Sequence, residues 1–261
     1  MRHKRSPRAT PAQSRKAGAL TRPDQQVIYG GHAVIAALQN PARKILKISA
    51  SENAAHRFHD VLKPFGDRLK IVKAADLDRM VGSEAVHQGL VLQARPLPEP
   101  GLEQLLAVEK TQLLLVILDQ ITDPHNVGAI LRSCAAFGVD AIILPTRNSV
   151  EFSGVLAKAA SGAMEHVPVV RITNLARTLK TLKQAGVSVV GFDSELSDDF
   201  ESISDLKRIA LVFGAEGKGM RRLTRENCDH LVRLNISGPI KSLNVSNACA
   251  VALYATSRNK A

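Results

Sequence analysis

The stretch that decides the fold is LVFGAEGKGM at 211–220, with RLNISGPI at 233–240 and SLNVSNA at 242–248 behind it. It starts as a strand, because IALVF at 209–213 is apolar throughout, as a strand covered on both faces must be. Gly214, Gly217 and Gly219 then allow positive φ and a close approach of backbone to a neighbour or ligand. Their order, G-x-x-G-x-G, fits neither the dinucleotide fingerprint nor the Walker loop, since no Ser or Thr follows Gly217-Lys218. Glu216 is the one acid in this turn, either an exposed turn residue or a placed carboxylate. Ser237, Ser242, Asn244, Ser246 and Asn247 lead into a helix of small residues, with Ser242 expected as its N-cap. No His or second acid accompanies these serines, so a hydrolytic triad is not expected.

Working outward, further apolar runs stand at 113–118, 141–144, 167–170 and 187–192, with helix-like segments between them. Continuous apolar strands alternating with helices imply an α/β fold with a parallel sheet covered on both faces. Ligands collect outside the carboxyl ends of such strands, where each motif falls. After the strand at 113–118 comes DQITDPHNVGAILR, where Asp123 is the expected N-cap and Pro124 the first helical residue. His125 and Asn126 lie in the first turn, where unpaired N–H groups and the helix dipole favour an anion. Ile130, Leu131, Cys134 and Ala135 form the buried stripe, and Arg132 falls off it, toward a cleft or solvent. On residue chemistry alone Asn126 is a capping-region residue and Arg132 a surface cation.

Toward the N-terminus, PLPEPG at 96–101 reads as a stiff connector, because its prolines fix φ and lack donors. Ahead of it lies a small α/β unit, 27–96. It contains VIYGGHAVIAALQN, a strand at 44–51, a helix over 52–66 and a closing strand in HQGLVLQARP. Its histidines have no metal-ligand spacing: His56 and His59 are three apart but lack a Cys or carboxylate cluster, so no metal site is expected.

The net charge of +11 points to an anionic partner. Residues 1–26 hold seven Lys/Arg and one acid, so over half of the excess sits on an expected disordered tail. A solvated tail, a phosphate-binding arm and an Arg-rich transit peptide all fit, though Pro7, Pro11 and Pro23 weaken the helix a transit peptide needs. Cys134, Cys228 and Cys249 are scattered and odd in number, which suits reduced thiols in a cytosolic compartment. No apolar run approaches the roughly 18–20 residues of a membrane span.

Taken jointly, DPHNVGAILR, FGAEGKGM and SLNVS resemble the three motifs of the SpoU/TrmH family of AdoMet-dependent RNA 2′-O-ribose methyltransferases, in the SPOUT superfamily. YGGHAVIAAL and HQGLV resemble the L30e-like RNA-binding domain of the branch that methylates a guanosine in large-subunit (23S-type) rRNA. With the tail at 1–26 and a linker at 97–110, the resemblance implies an L30e-like domain at 27–96 and a SPOUT domain at 111–261 ending in a trefoil knot. The knot would bind S-adenosyl-L-methionine through backbone groups at Gly214, Leu234 and Leu243 and pair two chains as a homodimer. Arg132, Glu216, Ser242 and Asn244 become the catalytic candidates, supported by Asn126. A guanidinium stays protonated, so Arg132 is expected to work with an RNA phosphate, as clamp or relay. Glu216 would hold Arg132 or the ribose, and Ser242 and Asn244 would orient ribose and cofactor. Two departures stand out: Leu234-Asn235 replaces a usual Ile-Pro, and Asn247 replaces a usual apolar residue.

Three other readings are weighed: an RNA-binding assembly factor with a vestigial site, a tRNA 2′-O-methyltransferase, and a nicotinamide-dependent oxidoreductase. Intact Arg132, Glu216, Ser242 and Asn244 argue against the first, and the missing fingerprint glycines against the last. With seven Phe, two Tyr and no Trp, RNA is expected to be held by charge and shape more than by stacking.

Overall fold

The computed structural model describes residues 24–193, 200, 206–239 and 242–258; the basic tail expected over 1–26 lies almost wholly outside the described residues. The first unit comprises β1 (Gln26–Tyr29), α1 (Gly31–Gln39), β2 (Ile45–Ala50), α2 (Glu52–Arg57), α3 (His59–Leu62), β3 (Leu69–Ile71), α4 (Ala74–Val81) and β4 (Leu90–Ala94). Its sheet runs β1-β4-β2-β3, antiparallel except for the β2–β3 pair. The single helix expected over 52–66 is broken at Phe58 (φ −113°, ψ 24°) and gives way to a 3-10 turn at Lys63–Phe65. Pro64 lacks the N–H that an α-helix would need to run on through this turn.

α5 (Leu102–Ala107) occupies part of the expected linker and buries Leu102. The second unit then runs through β5 (Leu113–Asp119), α6 (Pro124–Ala136), β6 (Ala141–Pro145), α7 (Gly154–Ala160), β7 (Val169–Ile172) and α8 (Leu175–Gln184). It ends with β8 (Ser188–Phe192), β9 (Arg208–Gly214), α9 (Arg222–Glu226), β10 (His230–Val232) and α10 (Val245–Arg258). Its six strands are all parallel, in the order β10-β8-β9-β5-β6-β7.

Every residue of β5 and β6 is buried. Alternate side chains serve two cores, as the period of a strand requires. Leu114, Val116 and Leu118 join α6, α7 and α10, whereas Leu113, Leu115 and Ile117 join α8. Gly128 lets α6 and α7 cross closely, since a Cβ there would stand 2.4 Å from the Cβ of Ala159. The expected knot would involve the chain entering α10, and residues 240–241 of that chain lie outside the described residues.

The two units share one continuous core. Gly154 packs under Tyr29, and a Cβ there would meet its ring at 2.6 Å. Beside this contact Arg43 reaches across to Glu165, with Nε at 3.1 Å from Oε2 and a second bond to Oε1, both side chains at most 3% exposed. Arg43 also donates to Gln26 Oε1 and to the Arg95 carbonyl, while Asn40 donates to Glu165. Breaking such a pair leaves a charge buried and uncompensated. Arg43→Ala is expected to lower the unfolding free energy by about 3–5 kcal/mol in urea titrations. A loss below about 1 kcal/mol, typical of an exposed pair, would contradict this joint.

Candidate active site

The site is built on the carboxyl ends of two adjacent strands, β5 and β9. β5 ends in Asp119, a fully buried carboxylate. Its Oδ2 accepts from the Arg221 backbone N–H (3.0 Å) and the Thr224 hydroxyl (2.7 Å), and its Oδ1 accepts from Arg221 Nε (2.7 Å). These bonds tie the segment after β9 to the end of β5. Between them 215–219 forms a tight turn, with Ala215 and Gly219 exchanging both backbone hydrogen bonds and Gly217 and Gly219 at φ 76° and 64°. A Cβ on Gly214 would stand 2.2 Å from Met220 N, so this crossing requires glycine.

Glu216 sits in this turn and meets two amides. Asn126 Nδ2 donates to its Oε2 (3.3 Å), and Asn244 Nδ2 donates to its Oε1 (2.9 Å) and to Asn126 Oδ1 (3.0 Å). Asn244 Oδ1 in turn accepts from the Ser246 backbone N–H (2.9 Å) and hydroxyl (2.6 Å). A backbone N–H can only donate, which fixes the Asn244 oxygen toward Ser246 and its nitrogen toward the carboxylate. Three side chains from distant parts of the chain are thus locked in one network.

The network borders a cleft of about 490 Å³, whose lining includes Gly214, Glu216, Leu234, Ser242, Leu243 and Asn244. Phe192 and Phe213, stacked with centroids 4.7 Å apart, supply apolar wall. All three expected cofactor positions and three of the five expected catalytic ones therefore lie around one concavity, with Asn126 bonded to it.

Arg132 does not line this cleft. It lies six residues along α6 from Asn126, about 9 Å of helix, on a separate cavity between the two units. Within one chain, both Glu216 oxygens are engaged by Asn126 and Asn244, not by Arg132. Two local expectations are corrected. Ser242 does not cap α10; Asn244 does, through the Ser246 N–H, while Ser242 stays exposed. The first-turn amides of α6 are not open to an external anion, because Asp123 accepts from both His125 N and Asn126 N. Asp119, Arg221 and Thr224 escaped the sequence reading. A charged residue closing an apolar strand was the available signal for Asp119.

Two of the three cysteines, Cys228 and Cys249, are held as thiols. Burial and the neighbouring Asp229 push Cys228 up to about 12. A hydrogen bond from Cys134, together with burial, holds Cys249 well above its ordinary value. Among the described residues no group of three or more His, Cys, Asp or Glu could hold a metal ion, and no helix is long and apolar enough to cross a membrane.

A turn of glycines at one strand end, an amide–carboxylate network and a cleft at the carboxyl edge of a parallel sheet together mark a candidate small-molecule site of an α/β protein. Residues 113–254 match the model of the SpoU rRNA Methylase family, and residues 27–100 match that of the RNA 2′-O ribose methyltransferase substrate binding domain. The chain belongs to the SpoU rRNA methylase family. It is 40% identical over 238 residues to the 23S rRNA (guanosine-2′-O-)-methyltransferase RlmB of Pseudomonas putida, covering 89% of this chain and 96% of that one. It is 39% identical over 240 residues to the putative TrmH family tRNA/rRNA methyltransferase YacO of Bacillus subtilis, covering 89% and 95%. The fold matches that of the SpoU methyltransferase AviRb of Streptomyces viridochromogenes, solved with AdoMet (TM-score 0.77, 20% identity, 91% of each chain). It also matches an AdoMet-bound rRNA methyltransferase of Sinorhizobium meliloti (TM-score 0.74, 23% identity, 90% and 87%).

Iodoacetamide at pH 8.5 is expected to leave all three thiols of the native protein unmodified and to label all three in urea, read by intact mass. Rapid labelling of native Cys228 would contradict the burial described for it.

Proposed function

We propose that this chain transfers a methyl group from AdoMet to a ribose 2′-OH of RNA, at a guanosine of large-subunit rRNA, in the cytosol and as a homodimer. The observation that carries the chemistry is the convergence of Asn126, Glu216 and Asn244 beside a cleft bordered by Gly214, Leu234 and Leu243. Relatives about 40% identical over most of the chain, named as 23S rRNA guanosine 2′-O-methyltransferases, support the substrate. The units 27–96 and 111–261 would then bind RNA and carry out transfer, joined by 97–110.

The cleft fits the cofactor in kind. Its volume falls in the range of small-molecule sites. Phe192, Phe213 and Leu243 offer apolar surface, and the glycine turn offers backbone groups without side chains in the way. When bound, AdoMet supplies an electrophilic methyl group on a sulfonium. The chain's own contribution is positioning. Glu216 and Asn244, held by each other and by Asn126 and Ser246, orient the ribose so that its 2′ oxygen faces the methyl. Arg132 cannot act as a neutral base. It holds an RNA phosphate and eases the negative charge that develops as the 2′ proton leaves. Arg132 lines a different cavity from its own chain's cleft, and so it serves the partner's site. Exposed Val251 and Tyr254 on α10 and exposed Leu243 at the cleft supply apolar surface for a second copy.

Calorimetry is expected to find one AdoMet site per chain, kept in Glu216→Gln, while methyl transfer by that variant falls on the order of 100-fold. Absence of AdoMet binding by the wild-type protein would overturn the reading, as would a Glu216→Gln variant of normal turnover.

A further inference from the structure

The second cavity, about 520 Å³, lies on the seam between the two units. α6 and α7 furnish His125, Arg132 and Lys158, and the first unit furnishes His32, Gln88 and the acid Glu84. The close crossing at Gly128 and Ala159 brings these helices together. Arg132 stands one turn past Gly128, and Lys158 immediately precedes Ala159. Neither cation has a hydrogen-bond or ion-pair partner among the described residues. Two unpaired cations on one concave surface create a positive field that draws an anion.

The cavity is also where the backbone is held in unusual conformations. Of the four non-glycine residues at positive φ among the described residues, Gln88 (53°) and Ser161 (51°) both line it. Gly30, at φ 92°, lines it too, and the stem of Lys158 lies 3.6 Å from where its Cβ would be. Gln88 Oε1 accepts from the Gly31 N–H at 2.8 Å, so its side chain is anchored to the first unit. Outliers that surrounding structure maintains cluster at functional sites.

We propose that this cavity is a binding site for an RNA phosphodiester, with Lys158 as the second cation beside Arg132 and the Gln88 amide contributing from the first unit. The site would hold the backbone next to the nucleotide that enters the partner's cleft, so that both units of this chain grip one strand. The proposal rests on the methyltransferase reading for the identity of its ligand. A phosphate contact fixes register without reading sequence, so Lys158 is a positioning residue. Its removal should weaken RNA binding and leave the cofactor site alone.

The test variant is Lys158→Met, which keeps an aliphatic stem over Gly30 and removes the charge. The probe is unmodified large-subunit rRNA transcript, titrated against the full chain between low and high salt. Lys158→Met is expected to weaken binding on the order of tenfold and to reduce the slope of log K against log salt by about 1. KM for the transcript should rise with kcat within about twofold, AdoMet affinity should be unchanged, and Lys158→Arg should restore the slope. A slope and KM equal to wild type in Lys158→Met would overturn the proposal. So would a loss shared by AdoMet binding, which would mark a structural lysine. Because the salt slope needs no turnover, a Lys158-dependent slope in a wild-type protein that transfers no methyl would support the phosphate site and count against the methyltransferase reading alone.

Discussion

A fully buried carboxylate, Asp119, is the constraint on which the candidate site depends. It closes a central strand of a sheet that is otherwise apolar there, and among the described residues its side-chain hydrogen bonds go to one segment, at Arg221 and Thr224. An unpaired charge at that depth would be costly, so the chain after β9 must return to it. That return compresses 215–219 into a turn with positive φ at Gly217 and Gly219, and the turn presents Glu216 to Asn126 and Asn244. The network around Glu216 is therefore a consequence of how a buried charge is satisfied.

A second buried charge organises the relation between the units. Arg43 and Glu165 are nearly inaccessible, and their hydrogen bonds draw Gln26, Asn40 and the Arg95 carbonyl into one cross-unit cluster. With the small-residue contact at Gly154, this makes the seam a defined surface and not a loose hinge. The cavity carrying Arg132 and Lys158 lies on this same seam. Asn126, near the start of α6, thus meets the network at the cleft, whereas Arg132, less than two turns on, lines the cavity at the seam.

Much of this was legible in the sequence. The strands of the parallel sheet announce themselves as continuous apolar runs, because strands buried on both faces have no polar face to alternate with. β10 was not legible, since His230–Val232 is three residues long and opens on an exposed histidine. The three motifs named Asn126, Glu216, Ser242 and Asn244, which gather at the cleft, and Arg132, which does not, yet not how the first four meet. Asn244, not Ser242, caps α10 because its amide also has partners at Glu216 and Asn126, on parts of the chain that local reading cannot bring together. The open anion site expected at the start of α6 was wrong for a local reason: Asp123, correctly read as the cap, uses the same amides. Lys158 carried no signal at all. A lysine in a small-residue helix becomes informative only once a second unit is docked over it.

The most direct measurement is methyl transfer from labelled AdoMet to unmodified large-subunit rRNA, followed by mapping of the 2′-O-methyl position. A single modified guanosine is the expected result. Label on a base, label scattered over many riboses, or no transfer to rRNA while AdoMet is bound would contradict it.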